Sequence, residues 1–233
     1  MTAKRVLMVL TSHENMGVSG KKTGNWFDEV ATPYYAFKGA GLEVTLTSPR
    51  GGTPPIDQLS HSDAYATDAT RRFEQDAVAQ RALANTVRLG ELDLSAFDAV
   101  FFPGGYGQLW DLASDSKAIR AIEHWIEDGT PVAMVCHAVS ILRDARKPNG
   151  EPLVKGLAVT GFTDAEDEEL GLTSHLLFSL ERALRLNGAA FQRSPRNWQP
   201  HVVEDGPLMT GQNPASASAL ADALVARLTR SAA

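Results

Sequence analysis

The sequence predicts an α/β fold in which a mostly parallel sheet is covered by helices on both faces. Short runs of apolar and β-branched residues alternate with longer amphipathic segments along the 233 residues, and this alternation is typical of a doubly wound sheet. Several of the short runs are apolar throughout, as strands covered on both faces require. One of them ends on Cys136, the only cysteine of the chain. Ligands in such sheets bind beyond the carboxyl ends of the strands, where this cysteine is expected to lie.

The strands and helices follow one another in order along the chain. We predict strands at residues 5–10, 42–48, 99–103, 132–136 and 157–160. The helices predicted between and after them span residues 26–40, 77–89, 116–128, 137–144, 173–187 and 215–228. Apolar runs on either side of Asp205 and Gly206 indicate a hairpin near the C-terminus. Two excursions interrupt the alternation: a long, turn-rich one at residues 49–76 that could overhang the cleft, and a hairpin or loop at 146–156.

Composition and charge exclude several classes of protein. A hydrophobic content of 43% supports a full core, and we expect one domain over residues 1–233. A single cysteine rules out a disulfide within the chain, and no leader or apolar run approaching ~18 residues is present, so we expect a cytoplasmic protein without membrane contact. The formal net charge of −6 gives no electrostatic reason to bind nucleic acid.

Cys136 is the first candidate for chemistry. The apolar run at residues 132–135 stops abruptly at Cys136-His137 and a helix-like stretch follows. A strand that ends on a nucleophile and turns at once into a helix lifts the side chain into a cleft. The helix N-terminus beside the sulfur favours a thiolate. The alternative is a buried cysteine that packs as a small hydrophobe.

His137 is the adjacent candidate base, and it needs a third group to orient it. An acidic stretch follows the fifth predicted strand, where Thr163 and Glu166 fit a capping box that places Asp164 and Asp167 in or beside the first helical turn. Either aspartate is a candidate partner for the imidazole. The alternative for each is a solvated carboxylate that matches the helix dipole.

Glycines and one glutamate complete the candidate site. Gly104, Gly105 and Gly107 follow a predicted strand, so their backbone can come close to the cleft and offer N–H donors to an oxyanion. Their spacing is not that of a dinucleotide-binding motif. Glu29 lies in an aromatic and apolar helix start, and if it is buried against the sulfur we expect it to be protonated. Otherwise it is a surface carboxylate.

The remaining histidines form no metal-binding motif, and without further cysteines no zinc ligand set is available, so we expect no metal. Trp26, Tyr106 and Trp198 are candidates for the wall of a substrate pocket, and a place in the core is the alternative for each.

Motifs spread along the chain resemble a known family. They are TGNWFDEVATPYYAF, FPGGYGQLWDL, VAMVCHA, VTGFTDAEDEELG and LMTGQNPASA. Together they are similar to the ThiJ/PfpI family of the class I glutamine-amidotransferase-like superfamily. Within it they resemble the heat-shock-chaperone and glutathione-independent glyoxalase (glyoxalase III) branch. The similarity runs in order from Arg5 to about Leu228 and therefore covers nearly the whole chain.

The resemblance implies a flavodoxin-like sandwich with Cys136 as nucleophile on an elbow and His137 as its base partner. It also implies that Asp167 completes the triad and that Glu29 is the protonated glutamate beside the sulfur. The turn at Gly104 and Gly105, with the His137 amide, would form the oxyanion hole.

The activity implied is that of a lyase of the D-lactate dehydratase class. Methylglyoxal or a related 2-oxoaldehyde would become a 2-hydroxy acid through a Cys136 hemithioacetal, without metal, glutathione or other cofactor. A homodimer is implied by the same resemblance. A holding chaperone of the stress response, a cysteine redox sensor and a hydrolase of acyl or peptide substrates are the alternatives. Glutamine hydrolysis is disfavoured, because no remote His-x-Glu pair is found.

The chain departs from the pattern of this branch near the nucleophile. Tyr106 stands where the branch usually has histidine, which changes a polar group at the mouth of the pocket. Ala138 and Val139 replace a Gly-Pro pair after the Cys-His. Asp167 stands in place of glutamate and is one methylene shorter, so its reach to His137 must come from the placement of the backbone.

Overall fold

A computed structural model describes residues 3–230 of the chain. Its strands are β1 (Arg5–Val9), β2 (Glu43–Ser48), β3 (Val87–Arg88), β4 (Ala99–Phe102), β5 (Val132–Val135), β6 (Ala158–Val159), β7 (Ala190–Phe191), β8 (Val202–Asp205) and β9 (Leu208–Gly211). Its α-helices are α1 (Phe27–Gly39), α2 (Asp68–Gln75), α3 (Ala77–Ala84), α4 (Ser116–Glu127), α5 (Asp164–Glu169), α6 (Leu180–Leu186) and α7 (Ala217–Arg230).

Seven strands form the main sheet in the order β3-β2-β1-β4-β5-β9-β8. All neighbouring pairs in it are parallel except β8 and β9, which form the antiparallel hairpin predicted around Asp205 and Gly206. β6 and β7 pair in a separate, two-stranded parallel sheet. The α/β fold class with a mostly parallel sheet is thus confirmed.

Helices cover both faces of the main sheet. On one face, apolar side chains of α1, α2, α3 and α7 form a core with the strands, including Val30, Phe37, Phe73, Leu83, Leu220 and Leu224. On the other face α4, α6 and the segment after β5 contribute Ile122, Trp125, Ile141, Leu142 and Leu184. The central strands β4 and β5 are buried along their whole length, because both faces are covered. This explains why their sequences lack polar alternation.

Three predicted helices differ from the observed structure. The helix predicted at residues 77–89 ends at Ala84, because Thr86 pairs with Gly52 and the next two residues form the edge strand β3. The helix predicted at 173–187 is confined to α6, where the Ser179 side chain caps a new start by accepting from the Arg182 N–H. The helix predicted at 137–144 is a 3₁₀ helix over Cys136–Arg143, buried from Cys136 to Leu142. We attribute the tighter form to packing rather than to helix propensity.

The excursion at residues 49–76 is partly helical. It contains α2, which begins with a capping box between Thr67 and Thr70. Thr at the third helical position is not the Glu or Gln of the usual box, so the signal was missed. The excursion at 146–156 is a turn closed by an antiparallel bridge between Arg146 and Pro152.

Phe101 of β4 gives a test of this packing. Its side chain is fully buried and meets the ring of Phe37 from α1 edge to face, with 5.5 Å between centroids. We expect Phe101→Ala to lower the free energy of unfolding by about 3–5 kcal/mol, because it leaves a cavity between sheet and helix. Urea denaturation measures this. Leu186→Ala, at a side chain that is 78% exposed, should change it by less than about 0.5 kcal/mol, and equal losses in both variants would contradict the assigned core.

Candidate active site

Cys136 lies at the carboxyl end of β5 in a left-handed backbone conformation. Its φ of 60° is one of two positive values at non-glycine residues in residues 3–230. Such a conformation costs about 1–3 kcal/mol and persists only where the surrounding structure enforces it. The chain passes directly from the strand into the 3₁₀ helix, which is the geometry of a nucleophile elbow.

The side chains of Cys136, His137 and Asp167 lie in a row. The Cys136 Sγ is 3.5 Å from His137 Nδ1, and His137 Nε2 is 3.2 Å and 3.4 Å from the two carboxylate oxygens of Asp167. All three side chains are buried. Asp164, the other candidate, instead accepts a hydrogen bond from the Ser179 hydroxyl. Asp167, which the family resemblance implied, is therefore the carboxylate beside the imidazole, and Asp164 is not.

Glu29 is buried rather than exposed. Its Oε2 accepts a hydrogen bond of 2.6 Å from the Gly104 N–H, and burial raises the pKa of the carboxyl from 4.5 to about 8. At neutral pH the group is therefore mostly protonated. Because the Gly104 amide is engaged with Glu29, it is not free to face an oxyanion.

Burial also raises the pKa of the Cys136 thiol, and Glu29 adds to the effect once its own carboxyl is ionised. Hydrogen bonds from the backbone amides of Gly105 and His137 to the sulfur act in the opposite direction. The amide at the start of the 3₁₀ helix thus acts in the expected direction, but the net shift of the thiol pKa is upward, so the expected thiolate is not favoured in the free protein. Desolvation of a sulfur with little exposed surface outweighs the backbone donors that face it.

The glycine turn brings these donors close because no side chain stands in the way. Gly105 has a φ of 117°, and a Cβ there would lie 2.1 Å from the carbonyl oxygen of Gly24. A Cβ on Gly104 would lie 2.5 Å from that of Cys136. Only glycine fits at both positions.

A small apolar cavity of about 110 Å³ opens above the sulfur. Its wall is mainly aromatic and aliphatic: Trp26, Tyr65, Tyr106, Phe162, Leu170 and Trp198. The three aromatic residues singled out in the sequence all line it. Tyr65 belongs to the excursion at residues 49–76, which therefore reaches over the cleft. The cavity has room only for a small molecule.

Tyr106 lies deeper than the sequence indicated. It is buried, its hydroxyl donates a 2.8 Å hydrogen bond to Oδ1 of Asp167, and its ring centroid is 4.2 Å from that of His137. It was expected at the mouth of the pocket, but its hydroxyl faces the Asp167 carboxylate. Two positions at which the sequence departs from the branch are thus in direct contact.

Two further residues of the site were not predicted from the sequence. Phe162 was not a candidate, and Glu166 was assigned only to a helix cap. Phe162 contacts the His137 ring, with 4.4 Å between centroids. Glu166 accepts hydrogen bonds from Thr163, Trp198, Gln212 and Asn213. The capping box was visible in the sequence, but the distant donors were not.

Trp198 is held in place by this carboxylate. Its backbone N–H donates to Glu166 over 2.9 Å, and its φ of 64° is the other positive non-glycine value in the described chain. Glu166 therefore fixes one wall of the cavity, while the next residue faces the imidazole.

Within residues 3–230 no cluster of three or more His, Cys, Asp or Glu side chains is arranged to hold a metal ion. Over the same residues, no helix is long and apolar enough to cross a membrane.

The model of the DJ-1/PfpI family matches residues 26–227. The chain belongs to this family. The resemblance drawn from the motifs is therefore confirmed. Among curated members, the DJ-1/PfpI chain is 31% identical to glyoxalase 3 of Candida albicans over 95% of its own length and 97% of the relative's. It is 30% identical to the glutathione-independent glyoxalase HSP31 of Saccharomyces cerevisiae, over 95% and 96% of the two chains.

A solved structure shows the same architecture. The Rapid Encystment Protein 24 KDa of Francisella tularensis superposes on this DJ-1/PfpI protein with a TM-score of 0.91 at 32% identity, covering 97% of this chain and 99% of that one.

The raised pKa of Glu29 predicts a pH-dependent stability. The folded protein keeps a proton that the unfolded chain releases, so the free energy of unfolding should fall as pH rises from about 4.5 to about 8. The slope is at most about 1.4 kcal/mol per pH unit. Glu29→Gln should remove it, as urea denaturation between about pH 5.5 and 7.5 will measure. The exposed control Glu91→Gln should keep the slope, and a slope unchanged in Glu29→Gln would contradict the assignment.

The hydrogen bonds to Glu166 predict that replacing its carboxylate by an amide destabilises the folded protein. Because both its oxygens act only as acceptors, Glu166→Gln places an NH₂ group against other donors and leaves buried polar groups unpaired. We expect the free energy of unfolding to fall by about 2–4 kcal/mol, measured by urea denaturation. Glu168→Gln, at the exposed carboxylate two residues on, serves as control and should change it little; a similarly small change in Glu166→Gln would refute the bonding role.

Proposed function

We propose that this protein is a glutathione-independent glyoxalase that converts methylglyoxal or a related 2-oxoaldehyde to a 2-hydroxy acid. The observation that carries the proposal is the placement of Cys136 Sγ 3.5 Å from His137 Nδ1, beneath a cavity of about 110 Å³. That volume fits a substrate of a few heavy atoms. Support also comes from relatives at 30–31% identity that are named glyoxalases.

The first step is formation of a hemithioacetal. His137 Nδ1 takes the proton of the Cys136 thiol, and the sulfur adds to the aldehyde carbon, C1. The C1 carbonyl electron pair moves to its oxygen, which lies within reach of the Gly105 and His137 amides. The imidazolium then returns its proton to this oxygen. Asp167 stabilises the imidazolium while it carries the charge, as the third member of a triad does.

The second step moves hydrogen from C1 to C2. The neutral His137 removes the C1 proton, and the electron pair forms a C1–C2 double bond while Glu29, protonated at neutral pH, gives a proton to the C2 oxygen. The product is an enediol. His137 then protonates C2 and Glu29 recovers its proton, as the C1 oxygen loses its own to become a carbonyl. C1 has been oxidised and C2 reduced, so no external electron acceptor is required.

The third step releases the acid. The C1 carbon is now a thioester of Cys136, and water attacks it with His137 as general base. The C–S bond breaks, the thiol is restored and the 2-hydroxy acid leaves; methylglyoxal gives lactate. One water is consumed in each cycle. No step uses glutathione or a metal ion.

Three further features are expected, the first from family resemblance alone and the other two from the composition of the chain. We propose a homodimer, a single domain over residues 1–233 and a cytoplasmic location.

Lactate formation from methylglyoxal tests the proposed function. Purified protein without glutathione should produce lactate, and Cys136→Ala should lower kcat/KM by about a thousandfold or more because no hemithioacetal can form. His124→Ala, at an exposed histidine on α4, should retain activity. Circular dichroism checks that each variant is folded. Equal lactate production by the wild type and Cys136→Ala would exclude the mechanism.

A further inference from the structure

The Tyr106 hydroxyl makes the shortest hydrogen bond to the Asp167 carboxylate. It lies 2.8 Å from Oδ1, whereas His137 Nε2 is 3.2 Å from Oδ1 and 3.4 Å from Oδ2. The imidazole thus faces both oxygens at longer range, while the tyrosine fixes one of them. A hydrogen bond to an ionised carboxylate is among the stronger ones in a buried site.

Tyr106 also contacts the imidazole directly. Its ring centroid is 4.2 Å from that of His137 at an interplanar angle of 36°. The Phe162 ring contacts the same imidazole, with 4.4 Å between the ring centroids. These contacts restrict rotation of the imidazole, so one tyrosine restrains both partners of the His137–Asp167 pair.

We propose that Tyr106 is a positioning residue. Its hydroxyl holds the Asp167 carboxylate in place and offsets part of its negative charge, and its ring holds the His137 imidazole in place. Tyr106 thereby governs how readily Cys136 gives its proton to the imidazole. The part of this proposal that concerns turnover rests on the proposed glyoxalase function. The part that concerns the thiol does not.

The charged and titratable groups around the pair are few. Glu29 of α1 faces the sulfur, Asp167 of α5 faces the imidazole, and Asp57 of the excursion at residues 49–76 acts on Tyr106 from further away. Burial and the nearby Asp167 raise the pKa of Tyr106. Its hydroxyl therefore stays a donor whenever the protein is folded at ordinary pH.

Removal of the hydroxyl has a defined electrostatic consequence. In Tyr106→Phe the carboxylate loses a donor, so more of its charge acts on His137 and the imidazolium becomes more stable. The thiolate–imidazolium pair then forms at lower pH.

Alkylation of the sole cysteine by iodoacetamide measures this without reference to turnover. We expect the midpoint of the rate-against-pH curve to fall by about half a pH unit in Tyr106→Phe. The matched control is Tyr35→Phe, which removes a hydroxyl that donates to another aspartate, Asp76, over 3.1 Å. Its midpoint should equal that of the wild type. A midpoint in Tyr106→Phe that is unchanged or higher would overturn the proposal.

A second experiment measures turnover in variants that remove the Tyr106 hydroxyl or lengthen the carboxylate side chain at position 167. Tyr106→Phe should lower kcat about tenfold, with KM changed less than about twofold, because positioning rather than binding is lost. Asp167→Glu alone should also lose activity, since the longer side chain drives its carboxylate into the Tyr106 hydroxyl. In the double variant the phenylalanine leaves room, so we expect it to exceed Asp167→Glu in kcat.

Losses that simply multiply in the double variant would overturn the coupling. If the wild type makes no lactate from methylglyoxal, the proposed function fails, and the alkylation arm still decides the role of Tyr106.

Discussion

The left-handed backbone of Cys136 is the constraint on which the site depends. β5 is held between β4 and β9 in the centre of the sheet, and the reversal at its end directs the sulfur toward the turn that follows β4. That turn can approach only because Gly104 and Gly105 carry no side chain. The strain at one residue is therefore supported by two neighbouring strands and by a close backbone contact. The geometry of the nucleophile therefore depends on the stability of the centre of the sheet.

Burial gives the site its electrostatic character. Cys136, His137, Glu29 and Asp167 are all almost fully removed from solvent, and in such surroundings neutral forms are favoured unless a charge is paired. The raised pKa values of Glu29 and of the thiol have this common cause. In the proposed reaction, charge therefore develops chiefly when a substrate is present to receive it, next to donors that are already in place.

Two adjacent carboxylates, Glu166 and Asp167, hold different parts of the site in place. Glu166 accepts from donors on two other segments and fixes the wall that contains Trp198. Asp167 turns toward His137 and Tyr106. Both lie in the short helix α5, where consecutive side chains point about 100° apart, so one turn of helix serves the pocket wall and the imidazole separately.

The sequence by itself determined the alternation of strands and helices, the apolar centre of the sheet, the elbow at Cys136 and the capping box at Thr163, because each depends on neighbouring residues. The local residue pattern did not separate Asp167 from Asp164 or show that Glu29 is buried, although the family resemblance implied both placements, and neither indicated that Tyr106 donates to Asp167. Those contacts join residues 30, 75 and 61 positions apart. The same holds for the pKa of the thiol: a local helix terminus predicted a lower value, and desolvation by the assembled fold raised it. Only tertiary packing decides such features, since burial and long-range proximity do not exist until the sheet and its helices are assembled.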